Sequence, residues 1–342
     1  MENKEMHSEY TASGNIEVDY KDLQPILFNE QQKEYKPIIP KKQKMPTSKK
    51  IFIISMLAYP IIHFLIFWVY INFNTIIKSF QGFSYKTGGE VFVGMTNYIN
   101  FFKAFSSQSG QLKHAVVNSL LFFVFNNFIL LPISIVCAYL LFKKVFMEKV
   151  FRVIFFLPNI ISVVVLTMVF YFMFHDTFGP LYSVMKSIGF NMPENGFFGT
   201  EGTAMVMIFV YCLWAGIGYN VLLLSGSIAR IPTEVLEAGK IDGIGMMREF
   251  IQIVVPLIMS TVSTLFVTGS MVMFTLFLQP MLLTSGGPNY STYTIAYYIV
   301  ELVNNNRLYD AAAAGVISSI VGIPIIQGIK YLMEKITPNV EF

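Results

Sequence analysis

The stretch 231–256, IPTEVLEAGKIDGIGMMREFIQIVVP, decides the fold. Seven Asp, Glu, Lys or Arg residues fall between Arg230 and Glu249, whereas 202–229 and 250–300 contain none. Because an unpaired charge is costly to bury in apolar surroundings, such a block has to lie in water or against a partner.

The pattern inside this stretch predicts a helix, a glycine turn and a second helix. Pro232 suits the first turn of a helix, and Glu234 places an acidic side chain near its N-terminus. Gly243 and Gly245 interrupt the helix, and a second helix starts near Met246 and leads into the next apolar run.

Composition and apolar runs predict an all-α polytopic membrane protein. Of the 342 residues, 54% are hydrophobic and 13% are charged, against about 25% charged in soluble domains. Each apolar run is long enough to cross a bilayer core of about 30 Å. The six predicted spans are 51–73, 115–142, 153–174, 203–226, 251–283 and 311–329.

Outside these spans, charge predicts topology. Residues 1–50 are polar and show no apolar period, so they are predicted to form a disordered cytoplasmic tail ahead of a membrane domain at 51–335. Lys and Arg are more numerous in the segments on the side of the N-terminus, which places both termini and the block 231–256 in the cytoplasm. The net charge of +3 does not indicate nucleic-acid binding.

The order E-A-x-x-x-D-G, followed by F-x-x-I-x-x-P, resembles the cytoplasmic coupling loop of bacterial ABC importers. In that family the loop belongs to the membrane-spanning permease subunits, which are binding-protein-dependent inner-membrane components. The surrounding residues resemble the carbohydrate branch of the family. Gly239 and Ile244 depart from the resemblance, because the family usually has Ala there. The resemblance extends from Phe92 to the last apolar run and includes Phe92, Val93, Gly94, Asn97, Tyr98, Asn118, Ser119, Leu120, Arg152, Phe156, Leu157, Pro158, Trp214, Gly218, Tyr219, Asn220, Gly286, Gly287, Pro288, Tyr309, Asp310 and Ala311.

The resemblance implies the ABC importer permease fold, with a coupling helix that lies in a groove of an ATPase. Glu237 would make the charged contact there, Gly243 would permit the turn and Asp242 would cap the next segment. The residues implied in coupling are Glu234, Glu237, Ala238, Asp242 and Gly243. The implied partners are a second homologous permease, two copies of the ATPase, an extracytoplasmic solute-binding protein, a sugar substrate and membrane lipid.

Energy has to come from outside this chain if transport is active. None of the six spans contains Asp, Glu, Lys or Arg, the residues that usually mark proton or ion pathways. The chain also has no G-x-x-x-x-G-K-[ST] phosphate loop. We therefore expect no cofactor on this chain and place ATP with Mg²⁺ on the partner ATPase. No histidine has a second ligand at metal spacing, so no metal site is predicted.

Polar and aromatic residues inside the spans are candidates for contact with a sugar, since amides bond hydroxyls and aromatic faces pack on C–H groups. For each residue alone, an interhelical hydrogen bond or an interfacial aromatic is the more common explanation. The pathway candidates are Asn126, Asn127, Asn159, Tyr171, Trp214, Tyr219, Asn220 and Gln279. The outer-loop candidates, which also suit a plain connecting turn, are Gly286, Gly287 and Pro288.

The predicted function is import of a sugar, expected to be an oligosaccharide, by alternating access. The protein is not expected to be an enzyme, because the spans offer hydroxyl groups without an evident base. The alternatives are import of another polar solute, such as a glycerol phosphate ester or a modified sugar, a membrane-embedded enzyme, and a passive channel or scaffold. A passive channel leaves the cytoplasmic block unexplained.

Overall fold

The computed structural model describes residues 46–86, 88–107 and 110–337. The chain divides into two compact units, Met1–Phe64 and Leu65–Phe342. The described part of the first unit is one helix, α1 (Thr47–Phe64), which has no buried residue. Residues 1–45, most of the tail predicted to be disordered, lie outside the described residues, so that prediction remains one.

The described part of the second unit is helical apart from one hairpin. Three short segments have π-helical geometry, at Leu65–Tyr70, Asn126–Leu130 and Glu249–Val254, and Pro288–Tyr290 forms a 3-10 turn. The helices are α2 (Ile71–Ser79), α3 (Thr96–Phe105), α4 (Gln111–Phe125), α5 (Leu131–Phe142), α6 (Glu148–Ile160), α7 (Val163–Met173), α8 (Pro180–Ser187), α9 (Gly196–Gly199), α10 (Glu201–Ile228), α11 (Thr233–Ile241), α12 (Met246–Arg248), α13 (Val255–Leu257), α14 (Met259–Thr275), α15 (Leu278–Thr284), α16 (Ile295–Asn304) and α17 (Leu308–Ile336).

The hairpin is an addition to the predicted all-helical fold. Strands β1 (Gln81–Ser84) and β2 (Gly89–Phe92) pair antiparallel, with Gln81 opposite Phe92. The side-chain amide of Asn97 donates to the backbone oxygens of Ser79 (2.9 Å) and Gln81 (2.8 Å). Asn97 therefore fixes the point where α2 ends and the hairpin begins, which gives this family-like residue a structural role.

Four helical stretches are long and apolar enough to cross a membrane: Thr47–Ser79, Gln111–Phe142, Glu201–Ile228 and Leu308–Ile336. Two further pairs of helices pass the same test together but are bent. Glu148–Ile160 and Val163–Met173 meet at 113°, and Met246–Leu257 and Met259–Thr275 meet at 72°. The described chain therefore has four spans, or up to six when each bent pair counts as one.

The predicted spans 153–174 and 251–283 are thus both bent in the structure. In the first, Ile161 and Ser162 adopt extended backbone within a run of β-branched residues, which favour that conformation. In the second, the bend at Ile258 follows Pro256, whose ring removes one backbone donor from the helix. The helix then ends at Thr275, ahead of Pro280.

Helix α10 lies at the centre of the second unit. Its C-terminal half supplies Val221 and Leu224 to one buried cluster, and its N-terminal half supplies Ile208 and Tyr211 to another. With 28 residues, it spans about 42 Å at a rise of about 1.5 Å per residue. It therefore connects the block 231–256 at one end of the unit with the loops around residue 200 at the other.

The backbone of α10 approaches α6 most closely at Gly218. A Cβ at this position would overlap the carbonyl oxygen of Phe155 and the side-chain amide of Asn159. Because the overlap involves backbone, it cannot be relieved by turning a side chain. The Gly218, Tyr219, Asn220 motif thus begins with a residue that the helix packing requires.

We expect Gly218→Ala to lower the thermal unfolding temperature of the protein in detergent, because overpacking a tight contact costs about 1–3 kcal/mol. Gly226→Ala is the matched control: it lies in the same helix and a Cβ there meets no other atom within 4 Å. The control is expected to unfold at the wild-type temperature or above it. Equal unfolding temperatures for both variants would contradict the close contact.

Candidate coupling surface and transport pathway

Helix α11 is fastened to the rest of the unit along one side. Leu236 and Gly239 are buried, and Leu236 belongs to the same cluster as Ile231 and Val254. A Cβ at Gly239 would lie 2.9 Å from Cδ1 of Ile253, in the π-helical segment that follows. Gly239, one of the two departures from the family pattern, therefore stands where α11 comes closest to this segment.

The turn after α11 is closed by backbone hydrogen bonds. The amide of Asp242 donates to the oxygen of Ala238 (3.0 Å), and that of Ile244 donates to the oxygen of Gly239 (2.9 Å). Gly243 has a φ of 72°, which glycine adopts without strain. No side-chain hydrogen bond caps the start of α12, so Asp242 does not make the predicted capping contact.

The opposite side of α11 is open. Glu234, Glu237 and Ala238 are exposed, and Ile241 has 86% of its surface exposed. Met247, just beyond the turn, is 71% exposed. We call these five residues the coupling surface. Carboxylates beside large exposed apolar side chains are typical of a protein-binding surface.

A buried ion pair fixes the segment after the coupling surface to the end of α5. The ammonium of Lys143 lies 2.5 Å from Oε1 of Glu249, whose side chain is only 5% exposed. The hydroxyl of Tyr139 donates to the backbone oxygen of Met246 (3.0 Å) and to Oε1 of Glu249 (3.4 Å). Sequence reasoning missed this contact, because its members belong to different helices and no pattern links them.

The two partners of this pair are not equally buried, since the Lys143 side chain is 23% exposed and can reach water. We therefore expect Lys143→Met to lower the unfolding temperature more than Glu249→Gln does. The first variant leaves a buried carboxylate without its cation, a loss of about 3–5 kcal/mol in comparable pairs. The double variant should recover part of that loss. Thermal unfolding of the three variants in detergent tests this order, and the reverse order would contradict it.

Three of the eight pathway candidates line one cavity of about 280 Å³. Asn126 comes from the π-helical turn between α4 and α5, Asn159 from α6 and Gln279 from α15. Apolar side chains and Tyr211 form the remaining walls. We call this space the inner cavity. Its three amides supply donors and acceptors in an otherwise apolar lining.

Two other asparagines have structural hydrogen bonds instead. The side-chain amide of Asn127 is buried and donates to the backbone oxygen of Phe123 (3.0 Å) and the hydroxyl of Ser270 (3.4 Å). Asn220 donates to the hydroxyl of Ser134 at 3.5 Å. Neither lines the inner cavity, and their bonds are of the interhelical or local kind that membrane bundles use.

None of the three aromatic candidates lines the inner cavity. Trp214 stacks on Phe170 with ring centroids 6.1 Å apart, within a buried cluster. Tyr219 is 53% exposed and does not line the inner cavity. Tyr171 lines a different pocket near the far end of α10. The structure thus unites three of the eight candidates and separates the other five from them.

The loop with Gly286, Gly287 and Pro288 is tightly folded. Gly286 has a φ of 90° and Gly287 a φ of 70°. A Cβ at Gly286 would overlap the ring of Tyr293, and one at Gly287 would lie 2.6 Å from the hydroxyl of Ser291. Both glycines are therefore required by the turn, whatever else the loop contacts.

Two residues of α4 that belong to the family-like motifs form hydrogen bonds with this loop. The side-chain amide of Asn118 donates to the backbone oxygens of Tyr290 (3.3 Å) and Ser291 (3.0 Å). The hydroxyl of Ser119 accepts from the backbone amide of Ile295 at 2.9 Å. The sequence contained this signal as two separate motifs, and only the structure connects them.

The described residues contain no group of three or more His, Cys, Asp or Glu side chains that could hold a metal ion. Cys137 and Cys212 are not paired with each other.

The chain belongs to the family described as binding-protein-dependent transport system inner membrane component, whose profile matches residues 130–337. It is 30% identical over 270 residues to the probable ABC transporter permease protein YurN of Bacillus subtilis, covering 75% of this chain and 86% of the relative. It is 26% identical over 278 residues to the multiple sugar-binding transport system permease protein MsmF of Streptococcus mutans, covering 81% and 93%. The family resemblance inferred from the motifs is confirmed.

The fold is also shared with a solved structure. A chain of a bacterial ABC transporter involved in the import of the acidic polysaccharide alginate superposes with a TM-score of 0.74 at 20% identity. The match covers 85% of this chain and 98% of that one. The predicted permease fold is thereby confirmed, and the protein is a multi-pass membrane transport subunit.

Proposed function

We propose that this chain is the permease subunit of an ATP-driven importer and that the coupling surface binds the ATPase. One observation carries the proposal: α11 is fixed on one side by Leu236 and Gly239, while Glu234, Glu237 and Ile241 remain exposed on the other. A short helix held in this way transmits a push from a partner to the helices behind it. The chain has no phosphate loop of its own.

The coupling surface lies in the cytoplasm, with both termini on the same side. This orientation is supported by the excess of Lys and Arg in the segments at that end, including Lys143, Lys144, Arg152, Arg230 and Arg248. The opposite end of α10 then faces the outside. The partners in this arrangement are a second homologous permease, two ATPase subunits and an extracytoplasmic solute-binding protein.

The substrate is a sugar, and an oligosaccharide fits best. Two similar proteins are described as permeases for multiple sugars and for diacetylchitobiose. The inner cavity adds a chemical reason, since Asn126, Asn159 and Gln279 can bond hydroxyl groups. No Lys or Arg lines that cavity, which disfavours a phosphate ester as the substrate.

Transport proceeds by alternating access. Closure of two ATPase subunits moves two coupling helices together, and the attached spans expose the inner cavity first to one side and then to the other. Substrate and ATP can bias this equilibrium only through contacts that differ between the two states. The bends at Ile161–Ser162 and Ile258 divide two spans into segments that can change their mutual angle.

Charge reversal at the centre of the coupling surface tests the proposal. We expect Glu237→Arg to reduce ATPase recovery with the purified permease about thirtyfold, corresponding to about 2 kcal/mol for a mismatched interfacial charge. Sugar uptake should fall in parallel. The measurement is co-purification from membranes in mild detergent, followed by quantification of each subunit.

Glu194→Arg is the matched control, because Glu194 is also an exposed carboxylate but precedes α10 at the opposite end. It should leave ATPase recovery unchanged. Normal recovery and uptake in Glu237→Arg would exclude the coupling assignment. A loss of ATPase in both variants would show a general effect of added positive charge.

The inner cavity is tested by removing one amide. We expect Gln279→Leu to reduce sugar uptake about tenfold, since one hydrogen bond to a substrate contributes about 1–1.5 kcal/mol. ATPase recovery should not change. Gln327→Leu in α17 is the control, as this exposed amide lies outside the cavity. Uptake that falls equally in both variants would contradict a specific role for the cavity.

A further inference from the structure

A second polar pocket lies at the end of α10 opposite the coupling surface. Its volume is about 330 Å³, within the range of about 300–1,000 Å³ that is usual for small-ligand sites. Three segments form it: the end of α7, the turn that contains α9, and the end of α15. We call it the outer pocket and define it by Tyr171, His175, Asp176, Asn195, Phe198 and Ser285.

The polar side of the outer pocket is built by a tight turn. A Cβ at Gly196, whose φ is 68°, would lie 3.0 Å from Cβ of Asp176. A Cβ at Gly179 would overlap the backbone of His175. Gly196 therefore allows the turn at 195–199 to approach Asp176, and Gly179 allows the chain to fold back onto the backbone of His175.

Hydrogen bonds orient these two side chains. The backbone amide of Thr177 donates to Nδ1 of His175 (3.2 Å), and the hydroxyl of Thr177 donates to Oδ1 of Asp176 (3.0 Å). Nδ1 of His175 also lies 3.0 Å from Oδ1 of Asp176. The amide of Asn195 and the hydroxyl of Tyr171 line the same space. The outer pocket therefore contains both hydrogen-bond donors and acceptors, and the hydroxyl groups of a polyol need both.

Aromatic rings form the other wall. The ring centroids of Tyr171 and Phe198 lie 5.1 Å apart, and those of Tyr171 and His175 lie 5.3 Å apart. A sugar ring carries hydroxyl groups at its edge and C–H groups on its faces. It can therefore pack a face on Tyr171 or Phe198 while its hydroxyls bond Asp176 and Asn195.

The outer pocket is joined to the inner cavity by a packed row of aromatic rings. Phe198 lies 6.4 Å from Phe170 between ring centroids, and Phe170 lies 5.4 Å from Tyr211, which lines the inner cavity. Phe170 and Tyr211 are only 4% and 2% exposed. Phe198, Phe170 and Tyr211 thus form a continuous row of ring contacts between the two spaces.

We propose that the outer pocket is a binding subsite for one neutral sugar unit, which is held there before it passes the aromatic row into the inner cavity. This inference rests on the proposed sugar-import function. The carboxylate of Asp176, together with the absence of Lys and Arg from the lining, selects neutral rings over sugar acids. Neither the family match nor the described relatives assign these residues.

The test uses the intact transporter, with its partner subunits, in lipid nanodiscs without the binding protein. The probes are maltotriose, diacetylchitobiose, arabinotriose and, as an acidic probe, trigalacturonate. Saturation-transfer NMR measures direct binding, and uptake into proteoliposomes with the binding protein gives KM and the maximal rate separately. Asp176→Ala/Asn195→Ala is compared with Glu194→Gln, a neighbouring carboxylate that does not line the pocket.

For a neutral probe that the wild type imports, we expect the double variant to raise KM about tenfold and to weaken the NMR signal, with ATPase recovery and maximal rate unchanged. The control variant should match the wild type. Trigalacturonate should give no signal with the wild type. Where the double variant is not recovered in the complex, Asp176→Asn, which keeps the shape of the side chain, replaces it and should raise KM about threefold.

Two results overturn the inference in different ways. If the pocket variants keep the wild-type KM and still import the probe, the outer subsite is excluded and the proposed function is unaffected. If the wild-type complex hydrolyses ATP but neither binds nor imports any of the neutral probes, both the sugar function and the subsite are excluded. Tighter binding of trigalacturonate than of the neutral probes to the wild type overturns the assigned selectivity.

Discussion

The close contact between α10 and α6 at Gly218 is the constraint on which the other features depend. Since a side chain at this position would overlap the Phe155 carbonyl, the two backbones can meet only at a glycine. Their contact places Asn159 of α6 beside the inner cavity and holds α10 in the middle of the unit. One helix thereby connects the outer pocket at its start with the coupling surface beyond its end.

Rigidity at the coupling end follows from burial and from one ion pair. Leu236 packs in the same cluster as Val254, and the partly exposed Lys143 pairs with the buried carboxylate of Glu249. A buried pair of this kind adds little net stability but disfavours other arrangements, because separating the charges is costly. The segment after α11 is therefore held to α5, so α11 belongs to a packed unit rather than to a loose loop.

The sequence was sufficient for the class of fold, since the apolar runs, the charged block 231–256 and the motif order each predict a membrane permease. It also named Asn126, Asn159 and Gln279, which the structure brings to one cavity, while their role stays a prediction. It failed where the outcome depends on contacts between distant segments. Asn127 differs from Asn126 by one position, yet a π-helical turn directs one to Ser270 and the other to the cavity. No periodicity reveals that turn, nor the bend at Ile161.

In the proposed import route, a sugar passes from the outer pocket to the inner cavity only when the aromatic row parts. Parting Phe198, Phe170 and Tyr211 breaks two ring contacts, each of about 0.5–1.5 kcal/mol beyond area burial. One sugar unit in the outer pocket gains energy of similar size from a few hydrogen bonds, about 0.5–1.5 kcal/mol each. Sugar binding alone therefore brings the closed and open states near balance and does not drive passage in one direction. In the proposed function, the direction comes from the far end of α10, where the exposed carboxylates and apolar side chains of the coupling surface bind the ATPase.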